Sequence, residues 1–162
     1  MNRRHFIIQL AGITSATLLA PRMLLSEEQR QPAFEKIIKS EAEWKRILTP
    51  AQFEILREDG TERAYTSPLN DEKRKGTYVC AGCALPLFTS DMKYDSGTGW
   101  PSFTTTLPGA VETSLDFKLI YPRTEYHCAR CEGHQGHVFD DGPPPNGKRW
   151  CNNGLALKFI PD

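Results

Sequence analysis

The chain has 162 residues, which suits one domain rather than two. Lys and Arg total 20 and so do Asp and Glu, leaving no cationic excess to grip nucleic acid, and 39% hydrophobic against 25% charged residues is a globular composition rather than a disordered one. Glycine and proline at 12 each favour turns and short strands, and the lack of an apolar run of about 20 residues excludes a polytopic membrane protein.

Arg3 and Arg4 precede an uncharged, mostly apolar stretch from Phe6 to Ala20, closed by Pro21 and Arg22. A charged start followed by about 15 apolar residues has the proportions of an export signal and is short for a spanning helix. Asn2-Arg3-Arg4-His5-Phe6-Ile7 resembles a twin-arginine signal, and Gly12, Thr14, Ser15 and Thr17 give the weak hydrophobicity that suits that route. Residues 1–25 are therefore expected to export the chain to the bacterial periplasm. A retained anchor facing the periplasm and an ordinary secretory signal are the alternatives. Residues 1–25 hold three arginines and no acid, so the remainder of this neutral chain carries a net charge of −3. That balance argues against an anionic membrane surface as partner.

Residues 26–39 read as a linker running into a short helix, with Phe34, Ile37 and Ile38 as its apolar edge. Two capping boxes follow. Ser40 stands three residues before Glu43, and Thr49 three before Gln52 with Pro50 at the first helical position, which predicts helices over 41–48 and 50–58. Trp44, Ile47 and Leu48, then Phe53, Ile55 and Leu56, supply their apolar faces, and Gly60 is the expected stop.

Beyond Thr61 short apolar or alternating runs are broken by Gly, Pro, Asp and Asn. Strands are predicted over 77–80, 86–88, 117–121, 124–128, 137–139 and 155–160, the third from the alternation of Phe117, Leu119 and Tyr121 with Lys118 and Ile120. Asp141-Gly142-Pro143-Pro144-Pro145-Asn146-Gly147 reads as a rigid loop. Residues 40–162 thus form one mainly β, antiparallel domain behind small N-terminal helices.

Cys80-Ala81-Gly82-Cys83 and Cys128-Ala129-Arg130-Cys131 are two CxxC turns, each able to offer two thiolates to one metal. Together they close a four-sulfur tetrahedral zinc site with no open position for substrate, so the ion, one per chain, is structural and its binding becomes folding free energy. Two disulfides, which export would permit, are one alternative. Another brings in His134 or His137, because Cys128, Cys131, His134 and His137 are evenly spaced.

Cys151 stands outside both pairs, in Lys148-Arg149-Trp150-Cys151-Asn152-Asn153. A leftover cysteine is most often a small buried hydrophobe. Here Lys148 and Arg149 are placed to favour its thiolate. His134 and His137 offer acid–base groups, and Asn153 shares its strand face if the chain is extended.

At this point the residues resemble a known family, the methionine sulfoxide reductase B proteins, which are peptide-methionine (R)-S-oxide reductases. The resemblance is carried by Glu41-Ala42-Glu43-Trp44, Leu48-Thr49-Pro50, Arg57-Glu58-Asp59-Gly60-Thr61-Glu62-Arg63, Lys93 through Phe103, His134 through Pro143, and Arg149-Trp150-Cys151-Asn152-Asn153. These strings run in order from about residue 40 to 160, with both CxxC pairs in place. The resemblance implies two antiparallel sheets forming a shallow open cleft. It implies Cys151 as catalytic cysteine and Trp100 as the tryptophan that packs the substrate methyl group. It implies His134, His137 and Asn153 around the sulfoxide, Phe139, Asp141 and Arg149 in the pocket wall, and Cys80, Cys83, Cys128 and Cys131 as zinc ligands.

The chain departs from the family pattern in three places. Thr98 stands where many members carry a recycling cysteine, Trp150 replaces the usual tyrosine before the nucleophile, and Gly154 replaces the usual serine after Asn153. No flavin, nicotinamide or phosphate motif is present, so no organic cofactor is expected and electrons must come from an external, thioredoxin-like thiol. The expected substrates are oxidised proteins or peptides. A zinc-stabilised binding module with an inert Cys151 is the alternative from another class.

Overall fold

The computed structural model describes residues 34–162, Ile120 excepted. The export signal expected over 1–25, and most of the 26–39 segment, lie outside the described residues. Within 34–40 there is no helix. Ile37 is tied by its amide to the Arg130 carbonyl at 2.7 Å and packs on the core, whereas Ile38 is exposed.

Both capping boxes form. The Ser40 hydroxyl accepts from the Glu43 amide and the Thr49 hydroxyl from the Gln52 amide, opening α1 (Glu41–Ile47) and α2 (Pro50–Glu58). Trp44 is buried within α1 and Leu48, its extended C-cap one residue past the helix, is buried too, while the expected core residue Ile47 is exposed. The stop of α2 comes one residue before Gly60. Asp59 takes the left-handed conformation (φ 51°), which a short polar side chain tolerates.

Among the described residues nine strands follow, in two antiparallel sheets. The smaller has the order β2-β1-β9, with β1 at Gly76–Cys80, β2 at Pro86–Thr89 and β9 at Leu157–Pro161. The larger has the order β3-β4-β8-β7-β6-β5. Its strands are β3 (Lys93–Tyr94), β4 (Ser102–Phe103), β5 (Val111–Asp116), β6 (Arg123–Cys128), β7 (His134–Phe139) and β8 (Arg149–Asn152). Aromatic rings bind the sheets into one core. Phe88 of β2 stacks on Phe103 of β4 at 3.9 Å between centroids, and Tyr78 of β1 meets the same ring edge-on at 5.0 Å. Such offset and T-shaped pairs add to the burial term.

No strand forms over the described residues of the predicted 117–121 segment. Phe117, Leu119 and Tyr121 are 71%, 57% and 76% exposed, and the pairing is carried by the residues on either side, with Asp116 opposite Arg123. The alternation therefore lies in the hairpin connection. The strand itself, β5, is an edge strand that faces solvent over most of its length, so it carries little apolar signal for a sequence pattern to detect. The short strands β3 and β4, and β8 around Cys151, were likewise outside the predicted set.

A candidate active site on the large sheet

Cys151 lies on β8 between two partners. Ser102 of β4 is its register partner on one side and His137 of β7 on the other. Directly opposed residues place their Cβ atoms about 5 Å apart on one face, so the imidazole and the thiol share a surface. Gly136, beside His137, makes this approach possible. A Cβ there would run into the Cys151 carbonyl.

His134 and His137 are three apart, which in a regular strand puts them on opposite faces. The register from Tyr126↔Gly136 to His127↔His134 skips Gln135. That bulge turns His134 onto the side of His137, with ring centroids 5.5 Å apart and edge-on. Each imidazole has its own carboxylate. His134 Nδ1 bonds Glu125 Oε1 at 2.6 Å, and His137 Nε2 bonds Asp116 Oδ2 at 2.8 Å. Asp116 also accepts from the Lys118 amide and from Arg123. The Lys118 amide first, then His137 and Arg123, hold its carboxyl well below the usual carboxylate range.

A pocket of about 110 Å³ opens beside the thiol, lined by Trp100, Arg123, His137, Phe139, Cys151 and Asn153, among others. Trp100 is held by its indole N–H, which donates to the Glu62 carbonyl at 3.0 Å. Asn153 is not on the strand with Cys151, because β8 ends at Asn152. Its amide is pinned instead, Oδ1 accepting from the Glu62 N–H at 3.0 Å and Nδ2 donating to the Gln135 carbonyl at 3.1 Å. The Glu62 carboxylate, in turn, accepts from the Gly154 and Leu155 amides at 2.6 and 2.9 Å. One buried glutamate segment thus fixes both Trp100 and the turn after the nucleophile. The residue at 154 must be glycine for a separate reason, since a Cβ there would strike the Ser67 hydroxyl.

Asp141 and Arg149 do not line the pocket. They form a two-point ion pair at 2.8 Å, and the guanidinium lies 4.4 Å over the Phe139 ring, so they act on the wall through Phe139. Lys148, expected to favour a Cys151 thiolate, pairs with Asp140 instead. Burial pushes the Cys151 thiol up from its ordinary value. The Arg149 charge and hydrogen bonding from Arg149 and Thr98 oppose that shift without overcoming it. Burial also pulls His137 down, against the pull of Asp116. At rest the site therefore favours a protonated thiol facing a neutral imidazole.

The four paired cysteines gather with no histidine among them. The Cys80 and Cys131 sulfurs are 3.6 Å apart and those of Cys83 and Cys128 3.5 Å apart. A disulfide requires about 2.05 Å, whereas a tetrahedron of 2.3 Å metal–sulfur bonds has edges of about 3.8 Å. By this measure the cluster can hold a metal ion and is not a pair of disulfides. The buried Gln135 links it to the active strand, its Nε2 donating to Cys80 Sγ at 3.6 Å and its Oε1 accepting from Asn152 at 3.4 Å.

Sequence reading missed Asp116, Glu125, Arg123 and Glu62. Only the spatial pairing of β5 to β6 and β6 to β7 brings the first three to the histidines, and a glutamate that caps a distant turn has no local signature.

Comparison with known proteins gives one consistent result. The SelR domain matches residues 48–161. A protein of Agrobacterium fabrum named peptide methionine sulfoxide reductase MsrB is 53% identical over 127 residues, which cover 78% of this chain and 94% of that protein. One of the same name from Leptospira interrogans is 50% identical over 125 residues, covering 76% of this chain and 95% of its own length. Peptide methionine sulfoxide reductase B1, chloroplastic, of Arabidopsis thaliana is 53% identical over 121 residues, or 74% of this chain and 60% of that one.

Proposed function

This chain belongs to the methionine sulfoxide reductase B family, and we propose that it reduces the R epimer of methionine sulfoxide, free or in a peptide, with Cys151 as nucleophile. The observation that carries this reading is the thiol opposite His137 at the foot of a pocket walled by Trp100 and Phe139. The substrate methyl group packs on the aromatic wall while the sulfoxide oxygen faces the imidazole. That arrangement admits one epimer and leaves the oxygen of the other on the aromatic side.

The chemistry follows from the protonation states. His137 takes the thiol proton and delivers it, directly or through water, to the sulfoxide oxygen. The thiolate attacks the sulfur. Two electrons pass from the cysteine sulfur to the methionine sulfur, the oxygen leaves on Cys151 as a sulfenic acid, and methionine departs. A first external thiol then condenses with the sulfenic acid, releasing water. A second resolves the mixed disulfide and restores Cys151. Cys80, Cys83, Cys128 and Cys131 hold a structural zinc ion, which organises the fold and takes no part in these steps. The Arg3–Arg4 pair and the apolar stretch behind it support export by the twin-arginine route. Replacing both arginines with lysine should then strand the chain in the cytoplasm, and undiminished export would refute that route.

Turnover of separated R and S epimers of a blocked methionine sulfoxide, with a dithiol reductant, tests the activity. The R epimer should be consumed and the S epimer left. Reduction of both at equal rates, or of neither, would refute the reading.

A further inference from the structure

We propose that the connection between β5 and β6 is a docking surface for a locally unfolded polypeptide with apolar residues beside the oxidised methionine. This rests on the reductase reading above and names its substrate class. Phe117, Leu119 and Tyr121 are all more than half exposed within this one short connection. Exposed apolar side chains gathered this densely mark an interaction site.

The connection adjoins the catalytic pocket at its base. It springs from Asp116 and Arg123, which pair with each other at its base. Asp116 bonds His137, and Arg123 lines the pocket itself. The connection is also held in place. The Lys118 amide donates to Asp116 at 2.7 Å, and its ammonium pairs at 2.9 Å with Asp59 at the end of α2. The pocket has room for one side chain, so whatever flanks a sulfoxide in a peptide must lie outside it, and this hairpin is the adjoining surface.

The occupant is identified by charge. Both cations of the hairpin, Lys118 and Arg123, are already paired with carboxylates. Among the described residues, that leaves the connection with no free positive charge to attract anionic lipid. Methionine is mainly a core residue, so a sulfoxide exposed by local unfolding has apolar neighbours exposed with it. Such a segment matches an apolar, charge-neutral surface.

The test compares three R-sulfoxide substrates in the full, metal-loaded chain. They are a blocked single amino acid, a heptapeptide with leucine and phenylalanine beside the sulfoxide, and the same peptide with glycine and serine there. The parent should favour the apolar peptide through a lower KM. Phe117→Ser, Leu119→Ser and Tyr121→Ser combined should lower kcat/KM for that peptide about tenfold, the scale of a few partly buried side chains. Turnover of the blocked amino acid should stay within about twofold, which also shows that the variant is folded. Equal use of the two peptides by the parent, or unchanged peptide kinetics in the variant, would overturn the proposal. So would a variant whose only changes are in self-association or in binding to anionic vesicles. A parent that reduces none of the three substrates would refute the reductase reading instead.

Discussion

Asp116→Asn isolates the role of the carboxylate behind His137. The side chain is buried and accepts from the Lys118 amide, Arg123 and His137 Nε2. Asparagine keeps the shape but offers one acceptor oxygen in place of two and removes the charge. His137 then loses the partner that fixes its ring and its Nε2–H tautomer. A hydrogen bond to a charged group is worth about 1.5–3 kcal/mol, and each 1.4 kcal/mol is about tenfold in rate. We therefore expect kcat for the R sulfoxide to fall about tenfold to a hundredfold, with KM changed far less because the residues that pack the methyl group are untouched. Stability should fall by about 1–3 kcal/mol, since the Arg123 guanidinium loses its carboxylate. That loss has a defined pH dependence. The Asp116 carboxyl is held below its ordinary 3.8 in the folded chain. Its stabilisation is therefore fully present above that value and is lost as pH falls through the lowered one. The gap in Tm between parent and variant should be widest near neutral pH and close in acid. A folded variant with kcat within about twofold of the parent would refute the positioning role.

Three further outcomes follow from the same geometry. Cys80→Ser removes one of four sulfurs from a site whose ion is worth on the order of 10 kcal/mol of folding energy. It should release the metal and aggregate or unfold, and an unchanged melting curve in a metal-free variant would contradict the site. Trp100→Ala removes the aromatic wall, a loss of about 2–3 kcal/mol of substrate packing. It should cut kcat/KM for the R sulfoxide about thirtyfold or more, while Cys151 still reacts with a small alkylating agent. Raising pH should speed that alkylation in the parent, with a midpoint above the ordinary thiol value, because burial outweighs Arg149 at Cys151; a midpoint below it would contradict the balance of forces described above.

The helices were legible because capping is local. Ser40 with Glu43, and Thr49 with Gln52, state their boundaries within four residues of chain. The four clustered cysteines were legible because a metal site needs those residue types whatever surrounds them. The surroundings of Cys151 were not. His134 and His137 come together only through the bulge at Gln135, and Asp116 reaches His137 only because β5 pairs with β6 and β6 with β7. The Phe117–Tyr121 alternation gave a false strand because exposed apolar residues imitate a half-buried face. Those residues are where the molecule departs from the rule that apolar side chains turn inward, and they adjoin the pocket.

If Cys151 alone carries the redox chemistry, a single-turnover measurement shows it most directly. The reduced, metal-loaded chain is mixed with excess R sulfoxide and no thiol, trapped with dimedone, and analysed for methionine, adduct mass and metal. Thr98, whose hydrogen bonding acts on the Cys151 thiol, carries no sulfur, and the other four cysteines sit in the four-sulfur cluster. The expected result is one methionine per chain, one dimedone adduct on Cys151, and the metal retained. A disulfide from Cys151 to Cys80, Cys83, Cys128 or Cys131 with the metal released, or methionine formed equally by a Cys151→Ser variant, would contradict it.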